Sequence, residues 1–334
     1  MRALGVLTAN RLASWPARRF GLETQLPALI AARAGLRVAL HDAPIVLVAR
    51  ADIAESARPY VAPGVGPVTG SVIDDLYAAW QPSPELELVV GRARVPWSKP
   101  RQFEELDEPL GAPPFVVDRI APDRRYGALV TGDLGAVAYA AGGWEDLDAL
   151  EPRERVGDPS AGGALLGGAW IEWTPRAPMY GSNPTGRVVG ARGPLPTPRT
   201  DPWFDTWRVS FGAGGLARVR EDGSSRFDLS LSGLTKWGPL AAQAELLIAR
   251  DRGKQEVGGH AELMVTPIDR IALSVRGELD GGAPGGGEWS AASAIQYHVT
   301  KDRRNRIGVV GWLRRDENRG TPYDGLVVFL QASL

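Results

Sequence analysis

The chain has 334 residues, enough for two soluble domains or one large barrel, and its formal net charge of −1 gives no field that would gather nucleic acid. It has no Cys, so disulfides and thiolate metal sites are excluded. No run of about 18 apolar residues occurs, so no segment suits a membrane-spanning helix.

From about residue 30 onward the chain breaks into short segments that read as strands. They are expected over 32–41, 45–55, 71–80, 86–95, 125–132, 135–143, 164–173 and 205–218. In the second, Arg50 and Asp52 oppose Leu47, Ala49, Ala51 and Ile53. In the fourth, Val89, Gly91, Ala93 and Val95 share a face, which turns Arg92 and Arg94 toward water. The alternation sharpens in 226–237, where Phe227, Leu229, Leu231, Gly233 and Trp237 oppose Arg226, Asp228, Ser230, Ser232 and Lys236. It repeats over 240–250, 257–266, 271–280 and 289–300, and strands at 306–315 and 325–334 complete the series. Each segment has one apolar and one polar side, and each is close to the roughly 9–11 residues that cross a bilayer at a tilt.

The connections support the same reading. Tight turns at 42–44, 81–85, 132–134, 238–239 and 267–270 alternate with longer loops at 56–70, 96–124, 144–163, 251–256, 280–288 and 316–324. Residues 174–204, rich in Pro and Gly, break the rule: either they form a long connection on the tight-turn side or they hide two more short crossings. Fifteen strands with both ends on one side require a further one, expected within residues 3–30. The fold class is all-β: one domain over 1–334, a transmembrane antiparallel β-barrel of about 16 strands with short periplasmic turns, long extracellular loops and a water-filled lumen. Such a barrel belongs in the outer membrane of a Gram-negative bacterium. Residues 1–20 show no apolar export core or small-residue cleavage site, so the expectation is a trimmed chain or a start assigned too late. Of the 11 Trp, Trp80, Trp173, Trp207 and Trp237 are placed at the periplasmic rim, and Trp144 and Trp289 at the outer rim, as aromatic girdles.

Two stretches carry a family resemblance. Residues 86–98, LELVVGRARVPWS, resemble a strand motif of the phosphate-selective porin O and P family through Gly91, Arg92, Arg94, Pro96 and Trp97. Residues 114–144 continue it through Arg119, Pro122, Arg124, Gly127, Gly132, Tyr139 and Gly142. The likeness covers about 70–145. It departs from the family at Arg94, usually Lys, and at the terminal Leu334, usually Phe. The resemblance implies a diffusion porin, general or anion-preferring, in a family that is often trimeric. Its partners would be outer-membrane lipid, small solutes or inorganic anions, and two further copies of the chain.

The long segment 96–124 is the best candidate for a constriction. It carries Glu104, Glu105, Asp107 and Glu108 in one cluster, and Arg119, Arg124 and Arg125 in another. Folded inward, the clusters would face each other across the pore; the plainer reading, an exposed outer loop with ordinary surface charges, is narrowly preferred. Pore-lining candidates are therefore Arg50, Arg92, Arg94, Glu104, Glu105, Asp107, Arg119, Arg124 and Arg125. Along 226–300 the lumen-side charges Arg226, Lys236 and Arg276 nearly balance Asp228, Glu245, Glu262 and Glu278, which does not suit a phosphate filter.

No catalytic residue, metal or cofactor is expected. His41, His260 and His298 read as solvated groups, and no nucleophile-elbow, phosphate-loop, zinc-helix or calcium-loop spacing occurs. Two other readings stay open: a soluble Trp-rich β-sandwich or propeller that binds glycans, and a barrel enzyme of the outer membrane.

Overall fold

The computed structural model describes residues 3–7, 13–14, 30–39, 44–52, 73–83, 85–99, 110, 114–120, 124–146, 164–174, 207–220, 223–252, 254–268, 270–281, 287–299, 306–316 and 322–333. These form β1 (Ala3–Leu7), β2 (Ala13–Ser14), β3 (Ile30–Ala39), β4 (Ile45–Asp52), β5 (Ile73–Ser83), β6 (Leu86–Arg94), the short helix α1 (Phe115–Ile120), β7 (Arg124–Asp133), β8 (Val137–Asp146) and β9 (Ala164–Trp173). There follow β10 (Trp207–Arg220), β11 (Ser225–Trp237), β12 (Leu240–Asp251), β13 (Lys254–Ile268), β14 (Ile271–Asp280), β15 (Glu288–His298), β16 (Arg306–Asp316) and β17 (Pro322–Ser333).

From β3 to β17 every strand pairs antiparallel with the next, so successive hairpins build the wall. The first strand closes it: Leu4 of β1 stands opposite both Ser333 of β17 and Arg33 of β3. The tiny β2 adds a second short pairing along the same edge of β17. Among the described residues the seventeen segments thus make sixteen staves whose pairings run round in a ring, with the strand expected within 3–30 supplied by β1 and β2. A closed ring leaves no open edge, the condition for a sheet to cross hydrocarbon.

β9 pairs directly with β10, Phe211 opposite Trp173; residues 175–204, where two further short crossings were left open, lie outside the described residues. The loop expected at 251–256 contracts to a tight hairpin: β13 begins at Lys254, and Arg252 makes the turn with φ 48°. Gly238, with φ 57°, makes the corresponding turn at the other rim, a conformation that costs glycine little.

Along β11–β15 the two faces are chemically distinct. Leu229, Leu246, Leu273 and Ile295 are exposed on the outside, while Ser230, Glu245, Ser274 and Gln296 are buried on the inside. In β6 the expected face is inverted. Val89 is 1% exposed and Val90 52%, so Val89 faces inward. Beyond it Gly91 adopts φ 131°, and Arg92, Ala93, Arg94 and Val95 are all buried. A Cβ at Gly91 would lie 2.3 Å from the Leu76 carbonyl oxygen, so only glycine permits this departure from strict alternation.

Trp144 is also corrected. It is buried on the inner wall above Gly127 and Gly142, whose missing side chains make room for the indole, and it is no girdle residue. Trp80, Trp173 and Trp237 are exposed at the tight-turn rim, with Trp173 stacked on Phe211 at 6.0 Å; Trp289 is half-buried. The Trp207 side chain lies outside the described residues.

Candidate functional site

The site grows out of the end of β6. Instead of continuing above the rim, Val95–Lys99 turns into the barrel and is buried throughout. Trp97 presses against β10, where a Cβ on Gly214 would sit 2.1 Å from the Trp97 carbonyl oxygen. Lys99 donates its backbone N–H to Glu245 Oε1 of β12 at 2.9 Å. Its ammonium pairs with Glu172 of β9 and lies 5.6 Å from the centre of the Trp170 ring. Leu110 packs on Ala292 and Ala294 of β15 and Val310 of β16, on the opposite side of the ring. Helix α1 then rests on the β12–β14 wall, where a Cβ on Gly258 would meet Val116 Cγ2 at 2.4 Å. The chain rejoins the wall at Arg124. The exposed outer loop preferred for 96–124 is therefore corrected for its described residues: they cross the interior.

Hydrophobic burial explains this course. Trp97, Phe115, Val116, Val117 and Ile120 join one buried cluster with Val46, Val48 and Tyr77 on one flank, and Trp144, Leu166 and Leu247 on the other. Each such side chain gains roughly 1.5–3 kcal/mol when taken out of water, more than the loop would gain by remaining above the rim. The interior beside β4–β12 is consequently packed, where the sequence had suggested a lumen filled by water alone.

Charged groups line the two sides of this segment. On β5–β7, Arg124 Nε bonds Asp75 Oδ1 at 2.8 Å, Arg92 Nη1 donates to the Arg124 carbonyl at 3.3 Å, and Arg125 Nη1 to the same oxygen at 3.0 Å. The Arg92 guanidinium also lies 5.6 Å from the Tyr126 ring centre, and Arg94 is buried beside them. Across the ring, Ser230 bonds Glu245, His260 Nε2 is 3.2 Å from Glu245 Oε2, and Arg276 Nε donates to Glu278 at 2.9 Å. Arg276 Nη1 is 3.9 Å from Glu262.

Of the residues singled out in sequence, the structure thus brings Arg92, Arg94, Arg124 and Arg125 together. Arg50 lies on β4 and Arg119 on α1, with side chains outside the described residues, as are Glu104, Glu105 and Asp107 entirely. Lys99 and Glu172 were not anticipated: they are 73 positions apart, and no local pattern ties them. Glu245, Glu262 and Glu278 had been counted only as members of a balanced lumen.

A hydrolytic site finds no support in this geometry. In the Ser230–Glu245–His260 chain the carboxylate stands between the hydroxyl and the imidazole, so His260 cannot take the serine proton directly. Among the described residues, no group of three or more His, Asp or Glu is arranged to hold a metal ion.

Solved structures share this arrangement of strands. An anion-selective porin from Comamonas acidovorans superposes with a TM-score of 0.62 at 11% identity, covering 100% of this chain and 98% of that one. The fold is that of the outer-membrane porins. The outer membrane channel DcaP of Acinetobacter baumannii gives 0.57 at 11% identity over 100% and 96% of the two chains. The trimer form of OmpT, an outer membrane protein of Vibrio cholerae, gives 0.55 at 10% identity over 99% and 98%. No family model matches the chain, and no curated protein matches its sequence. The porin O and P likeness thus rests on the residues of 86–98 and 114–144 alone.

Proposed function

We propose that this porin fold acts as an outer-membrane channel for passive diffusion of small solutes, narrowed by the inward residues 95–99, 110 and 114–120. The observation that carries the proposal is the route of that segment, from β6 to the inner faces of β9–β16. The apolar outer wall over β11–β16 favours this reading over a soluble glycan-binding sandwich.

Selection by charge follows from the two lined sides. Arg92, Arg94, Arg124 and Arg125, with Asp75 among them, make one side predominantly basic, and Glu172, Glu245, Glu262 and Glu278, with Lys99 and Arg276 among them, carry the carboxylates of the other. A solute passing between them meets a transverse field. The basic side supports the anion preference that the porin O and P likeness implies; the near balance across the ring speaks against phosphate specificity. The trimer form of one structural neighbour supports a homotrimer.

Planar-bilayer recording tests the proposal. Purified protein is expected to give discrete conductance steps, and replacing Arg92 and Arg124 with Gln to move the reversal potential in a salt gradient toward cations. The shift should shrink as salt rises, because screening shortens from about 10 Å at 0.1 M to about 3 Å at 1 M. Absence of any conductance would overturn the channel, and an unmoved reversal potential would remove the basic side from selection.

A further inference from the structure

The inner wall below the narrowing holds polar groups that the packing of the inward residues does not use. Gln243 of β12 stands directly opposite Glu262 of β13, and Glu262 directly opposite Arg276 of β14. Ser274 lies two residues from Arg276 along β14, and His260 two residues from Glu262 along β13. All five side chains are on the inner face and more than nine-tenths buried.

The inward residues border this patch from above and from one flank. Lys99 bonds Glu245, two residues from Gln243 toward the loop rim. The Val116 N–H of α1 donates to Glu278 Oε2 at 3.4 Å, two residues above Arg276. Leu110 packs on Ala292 and Ala294, which stand opposite Arg276 and Ser274. The patch thus begins where the narrowing ends, on the side of the tight turns.

Much of its hydrogen-bonding capacity is unused. Among the described residues, both carboxylate oxygens of Glu262 and both amide atoms of Gln243 are buried with no hydrogen bond, as are Ser274 Oγ and His260 Nδ1. Arg276 does not serve Glu262: its Nε donates to Glu278 at 2.9 Å, and its Nη1 is 3.9 Å from Glu262, too far for a hydrogen bond. His260 presents Nε2 to Glu245 Oε2 at 3.2 Å; with that nitrogen as donor, the neutral ring keeps Nδ1 as an acceptor. The carboxylate of Glu262 is the most costly of these groups to leave without a donor, because burial removes the water that would supply one.

The same groups say what would fill the patch. Most of the open positions are acceptors, on Glu262, on the Gln243 carbonyl and on His260. Around them Glu245, Glu262 and Glu278 outnumber the cations Arg276 and Lys236, while the Lys99 ammonium is engaged by Glu172. Acceptors and charge together call for N–H donors on a cation. A guanidinium suits them best, since its planar fork spans both oxygens of one carboxylate and still has donors for a neighbouring carbonyl.

We propose that Gln243 and Glu262 form a binding station for a solute bearing a guanidinium group, held by paired N–H bonds to Glu262 and a further one to the Gln243 carbonyl. The proposal rests on the channel reading for the route by which the solute arrives. It adds to that reading a site for cations on the carboxylate side, past the narrowing.

The test is saturation-transfer NMR of the full chain in neutral detergent with methylguanidinium, compared with tetramethylammonium, a cation that has no N–H. The methyl protons of each report its contact with the protein. Wild type should transfer saturation to methylguanidinium and not to tetramethylammonium. Glu262→Gln should weaken methylguanidinium binding about tenfold, or about 1.4 kcal/mol, and Gln243→Leu about threefold. Heat-modifiable gel mobility checks assembly; should Glu262→Gln fail to assemble, Gln243→Leu, which changes no charge, decides alone. Equal transfer to both cations overturns the site, because attraction by charge alone would then suffice. Wild-type affinity in the variants that assemble overturns it as well. Conductance is measured on the same samples: a wild type that binds methylguanidinium without conducting would sink the channel reading and keep the site, whereas one that conducts without binding would sink the site alone.

Discussion

The walls β4–β9 and β11–β16 are built from the same hairpins but differ inside. Along β11–β16 the inner face is polar and the outer face apolar, so every strand declares its orientation. Along β4–β9 the inner face mixes apolar Val48, Tyr77, Val89, Leu129 and Leu166 with charged Asp75, Arg92, Arg124 and Glu172, while Leu47, Leu76, Val90, Leu165 and Ile171 lie outside. The apolar part of that inner face packs on Trp97, Phe115, Val116, Val117 and Ile120 of the inward residues. A barrel strand's alternation is therefore blurred where apolar side chains, and not only polar ones, fill its inner face.

The strongest test of the packed side is its ion pair. Lys99→Met leaves Glu172 buried without its cation and is expected to destabilise by about 3–5 kcal/mol. Adding Glu172→Gln should recover much of that loss. Thermal unfolding of the two variants checks this; equal melting temperatures would mean that the pair does not hold the segment in place.

An arginine scan sharpens the contrast between the walls. On β14, Leu273→Arg should impair assembly by roughly 2–4 kcal/mol, the cost of a cation in the hydrocarbon, whereas the half-buried inner residue Ser290 of β15 should accept Arg. On β7, both Leu129→Arg and Val130→Arg should fail, the first against the packed interior and the second against lipid. Heat-modifiable gel mobility reads all four, and a tolerated Leu129→Arg would show that the inner face of β7 is wet after all.

The smallest effect comes from adjacent glycines. Gly214→Ala drives a methyl into the Trp97 carbonyl and should cost about 1–3 kcal/mol, with a larger and noisier conductance as the segment is displaced. Gly215→Ala, whose Cβ meets nothing within 4 Å, should leave the recording unchanged. Identical traces would detach Trp97 from the narrowing.

The same contrast explains what the sequence could reveal. β9 and β14 were expected at 164–173 and 271–280 and lie at those bounds, because their turns and lengths are locally encoded. The strand order and the polar inner face of β11–β16 were legible for the same reason. The inner faces of Val89 and Trp144 were not, since two apolar faces carry no period that distinguishes them. Nor was the inward placement of 95–99, 110 and 114–120, which depends on notches at Gly214 and Gly258 and on Glu172 and Glu245, all distant in sequence. Arg92, Arg94, Arg124 and Arg125 could be recognised as a basic group, but not the partners that bury them.

The seam between β1 and β17 has a consequence for how the molecule is made. Every other seam from β3 to β17 joins strands that follow one another, so hairpins can form in series, each closing a link far shorter than the chain. The pairings of β1 and β2 with β17, Leu4 opposite Ser333 and Ser14 opposite Tyr323, wait for almost the whole polypeptide, which concentrates the slow, long-range part of folding at one seam. The position of that seam is a property of where the backbone is cut. Joining the two ends and cutting at the Gly238–Pro239 turn would keep every register while making β11 and β12 the last pair to meet.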